Sequence, residues 1–152
     1  MGNKKIKRIS TFAAIIYVAF VVLGLTLAAV SIIGFSNSDA EGWEGLGLAL
    51  VTVILAAYGF IYAGVALTPM ILRCFSIKYP LKTPLTAICI PFDIILSILD
   101  TVLLVGALTS EKPSPMGIAL FAALLALSVA AFIINIIGIS AIRRENSLGK
   151  SE

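Results

Sequence analysis

The sequence predicts an all-α membrane protein, an antiparallel bundle of four helices that each cross the bilayer. Three observations carry this. Of 152 residues, 60% are hydrophobic and 12% charged, with mean hydropathy +1.10. A soluble domain averages about a quarter charged, so too little charge is present to coat a water-facing surface of this size. Four stretches exceed the roughly 20 apolar residues needed to cross about 30 Å of hydrocarbon. The basic residues gather in alternate connecting segments. Together these exclude a soluble enzyme, a nucleic-acid-binding domain and a disordered tail protein. Strand patterns of the barrel type are missing, so helices are the spanning elements.

The spans fall at about 12–35, 45–72, 85–108 and 116–142, in a single membrane domain covering 1–152. The first, Phe12 to Phe35, is uncharged and follows Lys4, Lys5, Lys7 and Arg8. That basic start invites a signal-peptide reading, but an apolar region of about 23 residues is well beyond the roughly 7–15 of such peptides, and it reads as a retained span. The second, Gly45 to Leu72, is also uncharged, with Trp43 where the chain enters the interface, a usual place for an amphipathic ring. The third, Leu85 to Leu108, carries Asp93 and Asp100, and the fourth, Met116 to Ile142, carries Asn135. Pro80 and Pro84 bracket the connection between the second and third spans and keep one helix from running into the next.

Orientation follows from the charges. The first connection holds Asp39, Glu41 and Glu44 with no Lys or Arg; the second holds Arg73, Lys78 and Lys82; the third holds Glu111 and Lys112; the tail holds Arg143, Arg144 and Lys150. Of eleven basic residues only Lys112 lies on the far side. By the positive-inside rule the basic side is cytoplasmic, both termini with it. The outer connections are too short to fold as domains, which argues against capture of a large extracellular ligand.

In lipid, helices associate through close packing of small residues and through interhelical polar contacts. Each span offers a stripe at 3-4 spacing: Ala14, Tyr17, Val21, Gly24, Ala28 and Ser31; then Ala49, Thr52, Ala56, Gly59, Ala63 and Ala66; then Thr86, Cys89, Asp93, Ser97 and Asp100; then Ser128, Ala131, Asn135 and Gly138. Four such stripes predict an antiparallel bundle with left-handed crossings near +20°.

The aspartates are the most unusual feature. A seven-residue step puts Asp93 and Asp100 on one helix face with Ser97 between them. An ionised Asp at mid-membrane costs about 2.5–3.5 kcal/mol on insertion scales, so both are expected to face the bundle interior. No predicted span contains Lys, Arg or His, so no salt-bridge partner is expected there. Counting about 1.5 Å per residue from the inner end, Asp93 lies about 12 Å deep, near Asn135 and Tyr62. Asp100 lies about 22 Å deep, level with Ser128 and Tyr58. Two buried polar layers are therefore expected: Asp93 with Asn135 and Tyr62, and Asp100 with Ser128 and Tyr58. The same carboxyls could serve a proton or cation pathway, since intramembrane carboxylates are functional candidates by default. Pro91 would free a backbone carbonyl near Ala87, either kinking the helix or offering an ion ligand.

Smaller signals remain. Lys4, Lys5, Lys7 and Arg8 anchor topology and attract anionic lipid at about 1 kcal/mol each. Met1-Gly2 lacks the Ser or Thr that myristoylation expects, with Ile6 in its place. Cys74 beside Arg73 at the inner membrane edge is a candidate for S-acylation, whereas Cys89 reads as packing. With no histidine and no CxxC pair, histidine catalysis, a metal centre and thiol-redox chemistry find no residues. The glycines of GWEGLG lack the strand–turn–helix setting of a nucleotide site. No catalytic residues, cofactor or metal are expected.

The stretches VVLGLTLAAVSII (Val21 to Ile33), LDTVLLVGAL (Leu99 to Leu108) and ALSVAAFIINIIGISAI, with the overall length and short connections, give a chain that resembles the MARVEL family of four-span membrane proteins, its small fungal members especially. Asp100 matches the aspartate often carried by that family's third helix; the tryptophan that often follows it is missing here. The resemblance implies cytoplasmic termini, residence in the plasma or endomembrane system, and a lateral organiser of membranes rather than a catalyst. Its partners would be lipids, copies of itself or other membrane proteins, and not nucleic acid. The competing expectation is a small proton- or cation-coupled transporter or channel subunit using Asp93 and Asp100, and a lesser one an accessory subunit of a larger complex.

Overall fold

The structure, a computed structural model, describes residues 2–37, 42–79, 86–109 and 115–148. It consists of four helices: α1 (Gly2–Ser36), α2 (Gly42–Lys78), α3 (Cys89–Thr109) and α4 (Pro115–Leu148). The connecting-segment residues Asp39, Glu41, Pro80, Lys82, Pro84, Glu111 and Lys112, and Lys150 in the tail, lie outside the described residues. All four helices are long and apolar enough to cross a membrane, and the chain is an integral multi-pass membrane protein.

The helices outrun the predicted spans wherever the sequence turns polar but remains helix-competent. α1 carries Lys4, Lys5, Lys7 and Arg8 in its first turns, and α2 continues past Leu72 to Lys78. At about 1.5 Å per residue α1, α2 and α4 exceed 50 Å, whereas α3 is about 32 Å, close to one hydrocarbon thickness. α3 begins at Cys89, after a helical pair at Thr86-Ala87 and a turn at Ile88. Pro91 therefore lies in its first turn, where the missing N–H has no intrahelical partner to lose. Pro69 inside α2 is buried and leaves the Val65 carbonyl without its usual donor.

α1 packs on α2 and α4, and α3 on α2 and α4, so the helices form a square with α1 opposite α3. Every neighbouring pair is antiparallel. The α1–α2 seam is the tightest. A Cβ on Gly59 would lie 2.6 Å from the Gly24 carbonyl oxygen and 2.8 Å from the Ala28 nitrogen; one on Gly24 would lie 2.8 Å from the Gly59 carbonyl oxygen and 2.9 Å from the Ala63 nitrogen. Only glycine permits backbones to approach so closely. The Gly24/Ala28 and Gly59/Ala63 steps are the small-xxx-small pairs that let the helices touch.

The predicted stripes do turn inward. Ala14, Tyr17, Gly24 and Ala28 are buried on α1, Ala56, Gly59, Ala63 and Ala66 on α2, and Ser128, Ala131, Asn135 and Gly138 on α4. The opposite faces are apolar and open, with Phe12, Val30, Leu50, Val53, Ile61 and Ile98 each more than half exposed. Hydroxyls on those faces bond back to their own helix: Thr26 to the Val22 carbonyl (2.8 Å), Thr101 to Ser97 (2.7 Å) and Ser140 to Ile136 (3.0 Å). This satisfies them where lipid offers no partner.

Candidate functional site

The bundle core contains two polar layers with an apolar layer between them. The layer nearer the basic end is built on Asp93, one turn into α3 and fully buried. The Tyr17 hydroxyl of α1 donates to Asp93 Oδ1 across the diagonal of the square. Asn135 Nδ2 of α4 donates to Asp93 Oδ2 at 2.5 Å and to the Tyr17 oxygen at 2.6 Å. Three helices thus share one closed hydrogen-bonded triangle. The Asp93–Asn135 pairing matches expectation, but Tyr17 fills the place assigned to Tyr62. Tyr17 sits at a stripe position of α1, fully buried, and reaches Asp93 from the opposite corner of the square.

Arg73 corrects a second expectation. It was assigned to a connection, and the spans were expected to carry no basic residue. Because α2 stays helical to Lys78, Arg73 falls on the buried stripe, 1% exposed. Its Nη1 donates to Thr86 Oγ1 at 3.1 Å, and its surroundings include Cys89, Tyr17 and Asp93. Gly138 of α4 borders it: a Cβ there would lie at ordinary contact distance, 3.7 Å from Nη2. A guanidinium beside Asp93 offsets part of the cost of burying a carboxyl, though burial of both partners is seldom net stabilising. The signal was present in the sequence. The stripe Ala56, Gly59, Ala63 and Ala66 continues at the same spacing through Pro69, Arg73 and Ser76, all buried.

The second layer is built on Asp100. The Ser128 hydroxyl donates to its Oδ2, as expected. The Tyr62 side chain faces Asp100 and Ser128, whereas Tyr58, expected on the carboxyl, donates instead to the Leu99 carbonyl at 2.6 Å. Tyr62 reaches the Asp100 layer because α2 runs six residues past Leu72, to Lys78, which sets Tyr62 further from the basic end. With α3 starting at Cys89, Asp100 lies about 17 Å along it and Asp93 about 6 Å, so Asp100 is the mid-membrane residue. Ser97 joins neither layer. It is half-buried at the rim of an outward groove of about 380 Å³, with Ile98, Val102, Val129 and Phe132, and Leu96 takes the inward position.

Between the layers stand Phe20, Ala66, Leu96 and Ala131, all fully buried and in one cluster. Phe20 meets Tyr62 edge-on at 5.9 Å, and the Tyr58 and Tyr62 rings stack at 6.4 Å. Beyond the Asp100 layer a small void of about 50 Å³ is walled by Gly24, Tyr58, Leu103, Phe121 and Leu124.

Besides the Asp100 carboxyl and the Tyr62 hydroxyl, which face one another, and the Arg73 guanidinium, which faces Cys89, two buried side-chain oxygens make no hydrogen bond among the described residues: Asn135 Oδ1 and the Ser10 hydroxyl. Each carries the desolvation cost of an unmade hydrogen bond, about 1–3 kcal/mol. Among the described residues no three His, Cys, Asp or Glu side chains gather as a metal-holding group. Cys74 is exposed on α2, and Cys89 is buried. Lys4, Lys5, Lys7 and Arg8 are exposed on the first turns of α1. Comparison with family models, curated proteins and solved structures gives no match.

Proposed function

We propose that this multi-pass membrane protein is a non-enzymatic lateral organiser, acting in membrane apposition, vesicle traffic or microdomain formation, with both termini cytoplasmic. The MARVEL-like resemblance of its spans belongs to the same reading, as does residence in the plasma or endomembrane system. The observation that carries it is the buried layer of Phe20, Ala66, Leu96 and Ala131 between the two polar layers. It separates Asp93 from Asp100 by apolar side chains, so the carboxyls act as local contacts that fix which helix faces turn inward. What remains for function is the outer surface, apolar and grooved at Ser97 and Phe132, suited to lipid, a partner span or a second copy. Cys74, exposed at the basic end, is the residue placed to take an acyl chain.

The test is flux. Full-length protein in liposomes holding a pH-sensitive dye is expected to leak protons no faster than empty vesicles under an imposed gradient. Crosslinking in native membranes is expected to return self or partner spans. A flux lost in Asp93→Asn/Asp100→Asn with assembly retained would overturn the reading. It would favour a proton- or cation-coupled transporter or channel subunit. That second reading has one specific support: the buried side-chain oxygens of Asp100, Tyr62 and Asn135, which are the atoms a water or cation would use.

A further inference from the structure

Where the first turns of α1 meet the last turns of α4, the basic end carries a groove of about 410 Å³. Its charged lining comes from opposite ends of the chain: Lys5 from α1, Arg144 and Glu145 from α4. Its floor is apolar, made of Ile6, Ile137 and Ala141, with Ser140 beside them. Ile6 is 2% exposed and belongs to the packed core, Ile137 and Ala141 are only partly covered, and Lys5 and Arg144 are exposed at the mouth. One helical turn deeper along α4 from half-exposed Ile137 lies Ile133, also half exposed. The groove therefore runs from a charged rim at headgroup level onto an apolar track at acyl-chain level.

We propose that this groove binds one anionic glycerophospholipid whose headgroup also carries a hydrogen-bond donor, such as a glycerol hydroxyl. Two cations against one carboxylate leave the mouth at net +1, matching a phosphodiester's single negative charge. Lys5 and Arg144 take the phosphate from two sides, the guanidinium in bidentate fashion. The Ser140 hydroxyl donates to the Ile136 carbonyl, so its oxygen is an acceptor. With the Glu145 carboxylate it accepts from a donating headgroup, while the net +1 of the mouth favours a singly negative lipid over zwitterionic phosphatidylcholine, which has no net charge and no N–H or O–H to donate. The acyl chain lies on Ile137 and Ile133. This differs from diffuse attraction to the basic end, to which every exposed cation contributes alike.

Native mass spectrometry of the full chain, released from micelles holding equal phosphatidylglycerol and phosphatidylcholine, tests it. One phosphatidylglycerol per chain is expected to persist, with about tenfold preference over phosphatidylcholine. Lys5→Gln/Arg144→Gln is expected to abolish the preference. Lys4→Gln/Arg143→Gln removes the same charge from exposed positions outside the groove and is expected to keep it. Equal loss in both double variants would show diffuse electrostatics and overturn the site. So would absence of any preference in the unaltered chain. Displacement of the lipid by sn-glycerol 3-phosphate at equal concentration would overturn the lipid in favour of a free phosphate.

Discussion

Gly59 offers the sharpest test of how the bundle is held. A methyl group at this position meets backbone on the facing helix: the Gly24 carbonyl oxygen at 2.6 Å and the Ala28 nitrogen at 2.8 Å. Neither can rotate away. Ordinary contact begins near 3.4 Å, so α1 and α2 must separate by roughly 0.8 Å at their tightest crossing, an overpacking change that costs about 1–3 kcal/mol. The separation also loosens Ala63 against Gly24 and weakens the dispersion contacts on which association in lipid depends. Gly64, five residues further along α2 and on another face, has nothing within 4 Å of its Cβ position. Alanine there is expected to be neutral or stabilising by up to about 1 kcal/mol from helix propensity. Reversible unfolding of both variants in mixed micelles, titrated with a denaturing detergent, reads the difference directly. Gly59→Ala is expected to shift the midpoint down and Gly64→Ala not to. Equal shifts would refute the close α1–α2 approach and with it the antiparallel register of the square.

The remaining predictions concern the core and the cysteines. A double-mutant cycle on Tyr17→Phe and Asp93→Asn is expected to show coupling of about 0.6–1.7 kcal/mol in the same unfolding assay. The Asp100/Ser128 pair should couple similarly, yet the two pairs should add independently, because Phe20, Leu96 and Ala131 stand between them; strong coupling between pairs would mean a continuous network. Leu96→Ala, at a fully buried position, is expected to cost about 2–5 kcal/mol, whereas Ile98→Ala, 58% exposed to lipid, should stay within about 0.5 kcal/mol. A membrane-permeant maleimide should modify Cys74 in the folded protein and Cys89 only after denaturation, as read by peptide mass spectrometry; prompt labelling of both would place Cys89 outside the core.

Much of the site was legible because burial in lipid leaves few choices. Asp93 and Asp100 had to turn inward, and depth counting paired them with Asn135 and Ser128. Tyrosine assignment was less legible. A tyrosine reaches more than one turn from its own Cα, so by level alone Asp93 could take Tyr17 or Tyr62, and Asp100 could take Tyr58 or Tyr62. The square decides: α1 stands diagonally opposite α3, which brings Tyr17 to Asp93. Arg73 was missed for a different reason. Hydropathy ends a span at the first charge, but a helix ends only where its backbone must, and α2 has no reason to stop before Lys78.

By itself the sequence determined the number of helices and the face each turns inward, because a backbone in hydrocarbon must close its own hydrogen bonds and a polar side chain must leave the lipid. The tertiary structure decided which helix stands beside which, that Arg73 shares the interior with Asp93, and that an apolar layer separates the two carboxyls. Those outcomes depend on distances between backbones, set at the α1–α2 seam by two glycines whose spacing in sequence says nothing of how closely they meet.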